Sequence, residues 1–436
     1  PVVKVLDFGI AKVLTGDTSV TNHLMGTPTY LPPEHIIGQP VDHRSDLFSF
    51  GVCLYRLLNG YFPFEAEHPT AVLYKISREE PREFIPEVPD ALKKLTLTCL
   101  AKDPAQRSLD FAEIAAALEG MLADGFRNTA FDSSADVLVP APTHPRHRLN
   151  PYLNRVMIKD IRDFIGRERE IRKIYSRLDA PDPQSISVVG ERRIGKSSLL
   201  NYIYSRTNRR KHMGHYKDTI FVYLDFQSSS DFTVPKFIDF LYYVLRFEGR
   251  ASVELSDFPN GLDWLKESVR RLHESGRRLV LLMDEFERIT RNPSFDSDFF
   301  SFLRSLANGY RVAYVTSSCD ELQNMCHNKD ISDSPFFNIF SNLPLRPFVP
   351  ADAKKLIEEP SAAAGTPLAP YAEQILELAG YFPFYLQIAC SCLYDHLGET
   401  GEDEIDWPSV TQAVLDEVQP HFEFMWSQFG ETEKEN

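Results

Sequence analysis

The octapeptide Gly190-Glu191-Arg192-Arg193-Ile194-Gly195-Lys196-Ser197 constrains this chain more than any other stretch. It fits G-x-x-x-x-G-K-[ST], follows the apolar run SISVV and opens the helix-forming run KSSLLNYI. Strand, glycine-rich turn and helix in that order make a phosphate cradle. The glycines let backbone N–H groups approach an anion, and the helix N-terminus adds its dipole. Gly190, Arg192, Arg193, Ile194, Gly195, Lys196, Ser197 and Ser198 are therefore the expected nucleotide-binding residues. Lys196 brings a point charge to the β and γ phosphates, and the Ser197 hydroxyl can ligate a metal ion. The expected cofactors are ATP and Mg²⁺.

A second motif completes the chemistry. RRLVLLMDEFERI places Asp284 and Glu285 at the end of an apolar strand. Asp284 suits the magnesium shell, and Glu285 suits polarisation of an attacking water. The plainer alternative is two acids capping a strand end. Thr316, Ser317 and Ser318 end the next apolar run. Ser317 is the hydroxyl placed at the γ-phosphate, although hydroxyls at strand ends also occur without a ligand. Four apolar runs read as strands, Ser185–Val189, Ile220–Asp225, Arg278–Met283 and Arg311–Thr316. Helical stretches separate them, which predicts a parallel α/β sheet.

The chain has 436 residues, enough for two to three domains. Residues 1–124 read as mainly helical, with a capping-box spacing at Asp110 and Glu113 followed by Ile114, Leu118 and Met121. Residues 125–149 are rich in Pro, Ser and Asp without a period and read as a linker. Residues 150–349 carry the phosphate-site motifs, and 350–436 turn helical, as a lid and the start of a further region. A net charge of −15 argues against nucleic acid or an anionic membrane as partner. No apolar run reaches the ~18 residues of a membrane helix. The six cysteines show no C-x-x-C pair and read as free thiols of a reducing cytoplasm. Cys390 and Cys392 read as packing residues rather than a metal pair.

Four motifs in the first third share one order. Asp7-Phe8-Gly9 comes first, then MGTPTYLPPE at Met25–Glu34, VDHRSDLFSFGVCLYRLLNG at Val41–Gly60 and AKDPAQR at Ala101–Arg107. Together they resemble the C-terminal lobe of a bacterial-type Ser/Thr protein kinase. The resemblance implies that Pro32-Pro33-Glu34 stands at the family's A-P-E and that Glu34 pairs with Arg107. It makes 41–60 the buried central helix of the lobe, with Asp46 anchoring the catalytic loop, and makes Asp7 a metal ligand. Thr15, Thr18, Ser19 and Thr21 fall where a phosphate orders a loop, or are simply exposed hydroxyls. Thr27 falls in the wall that positions substrate. The family's Gly-rich loop, strand lysine and catalytic aspartate stand upstream of D-F-G. Six residues precede Asp7, and the first is Pro1. The expectation is a fragment, inactive as a kinase alone, of a parent that phosphorylates protein substrates.

Residues from about 150 to 425 resemble AAA-like ATPases of the STAND class. The resemblance rests on the two phosphate-site motifs, on Phe164-Ile165-Gly166-Arg167-Glu168 (F-x-G-R-E), on SDSPFFNIFSNLPLRPF after the fourth strand, and on Pro383 in GYFPFYLQIAC. It implies a lid whose Pro383 reports the state of the nucleotide. Arg304 and Arg311 are both candidates for an arginine finger. The fold class is thus multidomain: a mainly α kinase C-lobe joined to an α/β P-loop NTPase with parallel sheet and helical lid. The implied function is an ATP-binding and hydrolysing switch that biases a signalling kinase. Two alternatives stand beside it. One is a non-catalytic docking module that self-associates through its ATPase domain. The other is a DNA-associated, initiator-like ATPase, which the acidic balance disfavours.

Overall fold

A computed structural model describes residues 28–66, 69–108, 110–123, 150–152, 157–158, 160–227, 232–249, 261–400 and 405–428. Asp7 with its D-F-G triplet, Thr15, Thr18, Ser19, Thr21, Thr27 and the 125–149 run lie outside the described residues. The chain forms two compact units. Described residues of the first come from 28–123, 218–281 and 305–312, and those of the second from 150–217, 282–304 and 313–428.

The kinase-like segment is helical: α1 (Pro33–Ile36), α2 (His43–Asn59), α3 (Pro69–Arg78), α4 (Asp90–Cys99) and α5 (Phe111–Ala123). The Asp42 carboxylate caps α2 by accepting from the Arg44 N–H at 2.8 Å. Gly60 ends it in the left-handed region, at φ +79°. Between the caps, Leu47, Phe48, Val52 and Tyr55 repeat at helical spacing and are buried. Gly51 lets α4 come close, since a Cβ there would stand 2.7 Å from the Cys99 Cβ. The predicted capping box at α5 is present, with Glu113 N–H donating to Asp110 at 2.8 Å and Asp110 N–H to Glu113 at 2.9 Å. One expectation is corrected. α2 is buried on one face only, and Leu57 on the other is 83% exposed.

The remaining elements alternate as predicted. In chain order they are α6 (Glu168–Leu178), β1 (Ser185–Val189), α7 (Lys196–Tyr204), α8 (Arg206–His212), β2 (Thr219–Asp225), α9 (Val234–Gly249), α10 (Gly261–Glu274) and β3 (Arg278–Asp284). Then come α11 (Glu287–Thr290), α12 (Ser297–Gly309), β4 (Val312–Ser318), α13 (Lys329–Ser332) and β5 (Phe340–Pro344). Four helices close the chain, α14 (Pro350–Ala364), α15 (Ala372–Ala379), α16 (Pro383–Thr400) and α17 (Trp407–Gln428).

The five strands make one parallel sheet in the order β2-β3-β4-β1-β5. β1 is flanked by β4, with Val189 beside Ser318, and by β5, with Val189 beside Pro344. β1 through β4 are apolar and almost wholly buried, as strands covered on both sides must be. β5 is the strand that the apolar pattern missed. Its sequence FSNLP buries only Leu343, because an edge strand does not need a continuous apolar run. The closing helices have their own core, built on Ile357, Leu386, Cys390 and Leu393. Tyr152 joins that core and donates its hydroxyl to the Ile357 carbonyl.

Candidate nucleotide-binding site

The loop after β1 is held from below by the sheet. Gly190 N–H donates to the Ser318 carbonyl at 3.1 Å. A side chain at Gly190 would put its Cβ 2.7 Å from the Leu345 carbonyl oxygen, so only glycine fits. Gly195 has φ +99° and open space where a Cβ would stand. That space fits an anion approached by backbone N–H groups, and a side chain would fill it. Lys196 is only 6% exposed. Its ammonium donates to the Gly190 carbonyl at 2.8 Å and the Glu191 carbonyl at 3.0 Å, so the charge is folded back along the loop. Ser197 opens α7 and is half-buried. The chemistry of this donor set fits a nucleotide phosphate: Lys196 and the loop N–H groups would hold it, and Ser197 and Asp284 would hold a Mg²⁺ ion.

The acid pair stands at the C-terminal end of β3, the strand end at which α/β sheets bind ligands. Asp284 is buried and accepts the Ser317 hydroxyl from the end of β4. Glu285 N–H donates to the Ser317 oxygen at 3.0 Å. Glu285 has φ +55°, a conformation that costs a non-glycine residue energy and that the Ser317 contact holds in place. Burial raises the Glu285 carboxyl above its ordinary range; Glu287 and Asp284 raise it further, and Lys196 opposes them. Sequence reading brought Asp284, Glu285 and Ser317 to one site but did not single out Glu287. That residue is buried and accepts from the Cys319 N–H at 3.1 Å. Its position two residues after Glu285 was the available signal. The other hydroxyls of the β4 end turn elsewhere: Ser318 donates to the Asp320 carbonyl at 2.7 Å, and Thr316 Oγ1 is buried without a partner among the described residues.

The remaining loop residues face other structure. The Ser198 hydroxyl accepts from Ile158 N–H at 3.1 Å, which ties the segment before α6 to α7. Ile194 is buried, and its carbonyl accepts from Arg167 at 3.2 Å. Arg167 is 5% exposed, donates also to the Arg346 carbonyl and lies 4.6 Å over the Phe348 ring. Its role as a brace under the loop was not legible in F-x-G-R-E. Arg193, at φ +66°, turns to the closing helices. Its guanidinium lies 4.2 Å over the Phe384 ring, and its Nη1 is 2.9 Å from His421 Nε2. Arg192 is exposed. Pro383 starts α16, next to Phe384.

Both arginine-finger candidates lie away from the acid pair in sequence. Arg304 is on α12 with its Nε buried and without a partner among the described residues, and Arg311 immediately precedes the first residue of β4. Asp46 is exposed on α2 with no hydrogen-bond partner among the described residues. Glu34 and Arg107 do pair, at 2.7 and 2.9 Å, and both are buried.

A strand, a glycine-rich loop with a buried lysine, and an acid-ended strand linked to its neighbour by a hydroxyl define a P-loop NTPase domain. Residues 180–436 match the profile described as Novel STAND NTPase 2, and the chain belongs to that family. Residues 1–116 match the protein kinase domain profile. Over 127 residues the chain is 45% identical to a probable serine/threonine-protein kinase of Corynebacterium efficiens, covering 27% of this chain and 19% of that one. Over 126 residues it is 40% identical to the probable serine/threonine-protein kinase PknB of Corynebacterium glutamicum, covering 27% and 20%. The chain thus spans about a fifth of the length of these curated kinases. Among solved structures, Cdc6p of Pyrobaculum aerophilum matches at 14% identity and TM-score 0.41, covering 62% of this chain and 70% of that one. Domain III of DnaA from Thermotoga maritima matches at 14% identity and TM-score 0.40, covering 60% and 98%. Among the described residues no helix is long and apolar enough to cross a membrane.

Proposed function

We propose that this chain binds Mg-ATP at the loop 190–197 and hydrolyses it, and that the whole protein is a signalling Ser/Thr kinase whose output this site adjusts. The Ser317–Asp284–Glu285 linkage carries the hydrolytic reading. Mg²⁺ when bound neutralises the charge that develops between the β and γ phosphates. Lys196 releases its loop carbonyls and turns to the phosphates. Asp284 keeps a fixed orientation because Ser317 holds one of its oxygens. Glu285, raised by burial, accepts a proton from the attacking water. The test is steady-state ATP turnover by the purified chain and by Glu285→Gln. Loss of turnover with retained ATP binding is expected. Equal turnover in both proteins would overturn the assignment.

A second reading, a slow switch rather than a steady ATPase, has its own support. Arg193 reaches from the loop to Phe384 and His421 of the closing helices. A nucleotide that drew Arg193 back would release that contact. Hydrogen exchange in α17 with and without Mg-ATP tests this, and unchanged exchange would count against it.

A further inference from the structure

Helix α3 has a composition that one neighbour cannot satisfy. In PTAVLYKISR, residues Thr70, Ala71, Val72, Leu73, Ile76 and Ser77 are all buried. A helix buried around nearly its whole circumference needs cover on two sides. One side of α3 meets residues 28–30 and α1, within the kinase-like segment. The other side meets β2 and α9 of the nucleotide-binding module, in the same compact unit.

That second contact is a single row at i, i+4 and i+8, the spacing that puts side chains above one another on a helix. Thr70 donates its hydroxyl to the Tyr223 carbonyl of β2 at 2.7 Å. The Tyr74 ring stands 5.5 Å from Phe240 and 6.3 Å from Tyr243 on α9. Arg78 grips Asp239 of α9 with two hydrogen bonds, at 2.8 and 2.6 Å, and lies 5.3 Å over the Tyr243 ring. A separate strut runs from Arg246 of α9 to the Ile37 carbonyl after α1, at 3.1 Å. An aromatic centre, a bidentate charge pair at one end and main-chain bonds at the other are the anatomy of a specific interface. The charge pair alone would carry little, because Arg78 is half-exposed. With the aromatic row it fixes register, since the guanidinium fork accepts only one geometry.

We infer that the α3 face of the kinase-like segment is a docking surface, and that its partner is the β2–α9 edge of the nucleotide-binding module of the same chain. A kinase-like segment held only by a linker would leave the Thr70–Tyr74–Arg78 row in water. While docked, that row is closed to any other protein. This inference does not depend on whether the loop 190–197 hydrolyses ATP.

The test is hydrogen exchange on the intact chain without nucleotide, for Arg78→Asp, Asp239→Arg and the double exchange. Each single change should speed amide exchange in both α3 and α9, by roughly two- to fivefold for loss of a half-exposed ion pair. The double exchange should restore much of the protection in both. Arg246→Ala is the milder companion, expected to loosen α9 together with the residues after α1. Faster exchange confined to the helix that carries the change, in the Arg78, Asp239 and Arg246 variants alike, would overturn the docking. So would a double exchange no better protected than either single one.

Discussion

Ser317, at the end of β4, donates its hydroxyl to the Asp284 carboxylate at the end of β3, and it accepts the backbone N–H of Glu285 at 3.0 Å. One side chain thus orients the acid that would hold the metal and pins the backbone of the acid that would take the proton. Ser317→Ala should lower ATP turnover by roughly 10- to 150-fold, the equivalent of about 1.5–3 kcal/mol for a hydrogen bond to a charged group. ATP affinity should change much less. A fall in affinity with unchanged kcat would instead place Ser317 in ground-state binding.

Lys196 gives the binding prediction. Its ammonium is buried and donates to carbonyls of its own loop, Gly190 at 2.8 Å and Glu191 at 3.0 Å. Lys196→Ala should weaken Mg-ATP by roughly 10- to 150-fold, again about 1.5–3 kcal/mol. Asp7→Ala, measured beside it by calorimetry, should leave this affinity as it was. A comparable loss in Asp7→Ala would put a second nucleotide site in the kinase-like segment.

Glu285 predicts a pH dependence. Burial raises its carboxyl, and Glu287 and Asp284 add to the rise. A general base acts when ionised, so turnover should be full above the raised value and fall as pH drops through it. The acid limb of the kcat profile should therefore lie above the ordinary glutamate value of about 4.3. Glu287→Gln keeps an acceptor for the Cys319 N–H while removing a neighbouring charge. It should move that limb to lower pH. A limb that stays in place in Glu287→Gln would remove Glu287 from the account.

The Glu34–Arg107 pair predicts stability. Both side chains are buried, Glu34 being 2% exposed, and Ser45 adds a hydrogen bond to Glu34 at 2.6 Å. Arg107→Ala leaves a buried carboxylate without its cation and should cost about 3–5 kcal/mol by urea unfolding. Burial alone would raise the Glu34 carboxyl, but hydrogen bonds from Arg107 and Ser45 outweigh it and hold the group below its ordinary range. A lowered carboxyl stabilises the fold above its unfolded value, and that stability is lost as pH falls through the folded one. The loss should therefore set in as pH falls through the ordinary glutamate value of about 4.3 and continue to the lower folded value, and Glu34→Gln should remove this share of the acid sensitivity.

The sequence by itself determined the local chemistry. G-x-x-x-x-G-K-S after an apolar run can serve few backbones, and β1 and α7 formed where it placed them. Apolar runs of full length marked β2, β3 and β4 to within two residues, because strands covered on both faces carry that signature themselves. The Asp110–Glu113 box was legible for the same reason, since its partners lie within one helical turn. β5 was not, because FSNLP draws its place from β1 rather than from its own pattern. Only the tertiary structure decided that Ser317 and Asp284, 33 residues apart, share a hydrogen bond. It alone turned Arg193 toward Phe384 and His421, set Arg167 under the loop, and closed Arg78 onto Asp239, 161 residues away. Motifs report groups that neighbours in sequence hold in place. Contacts across long separations depend on how elements pack, and the residues that make them look like any other serine or arginine until the packing is complete.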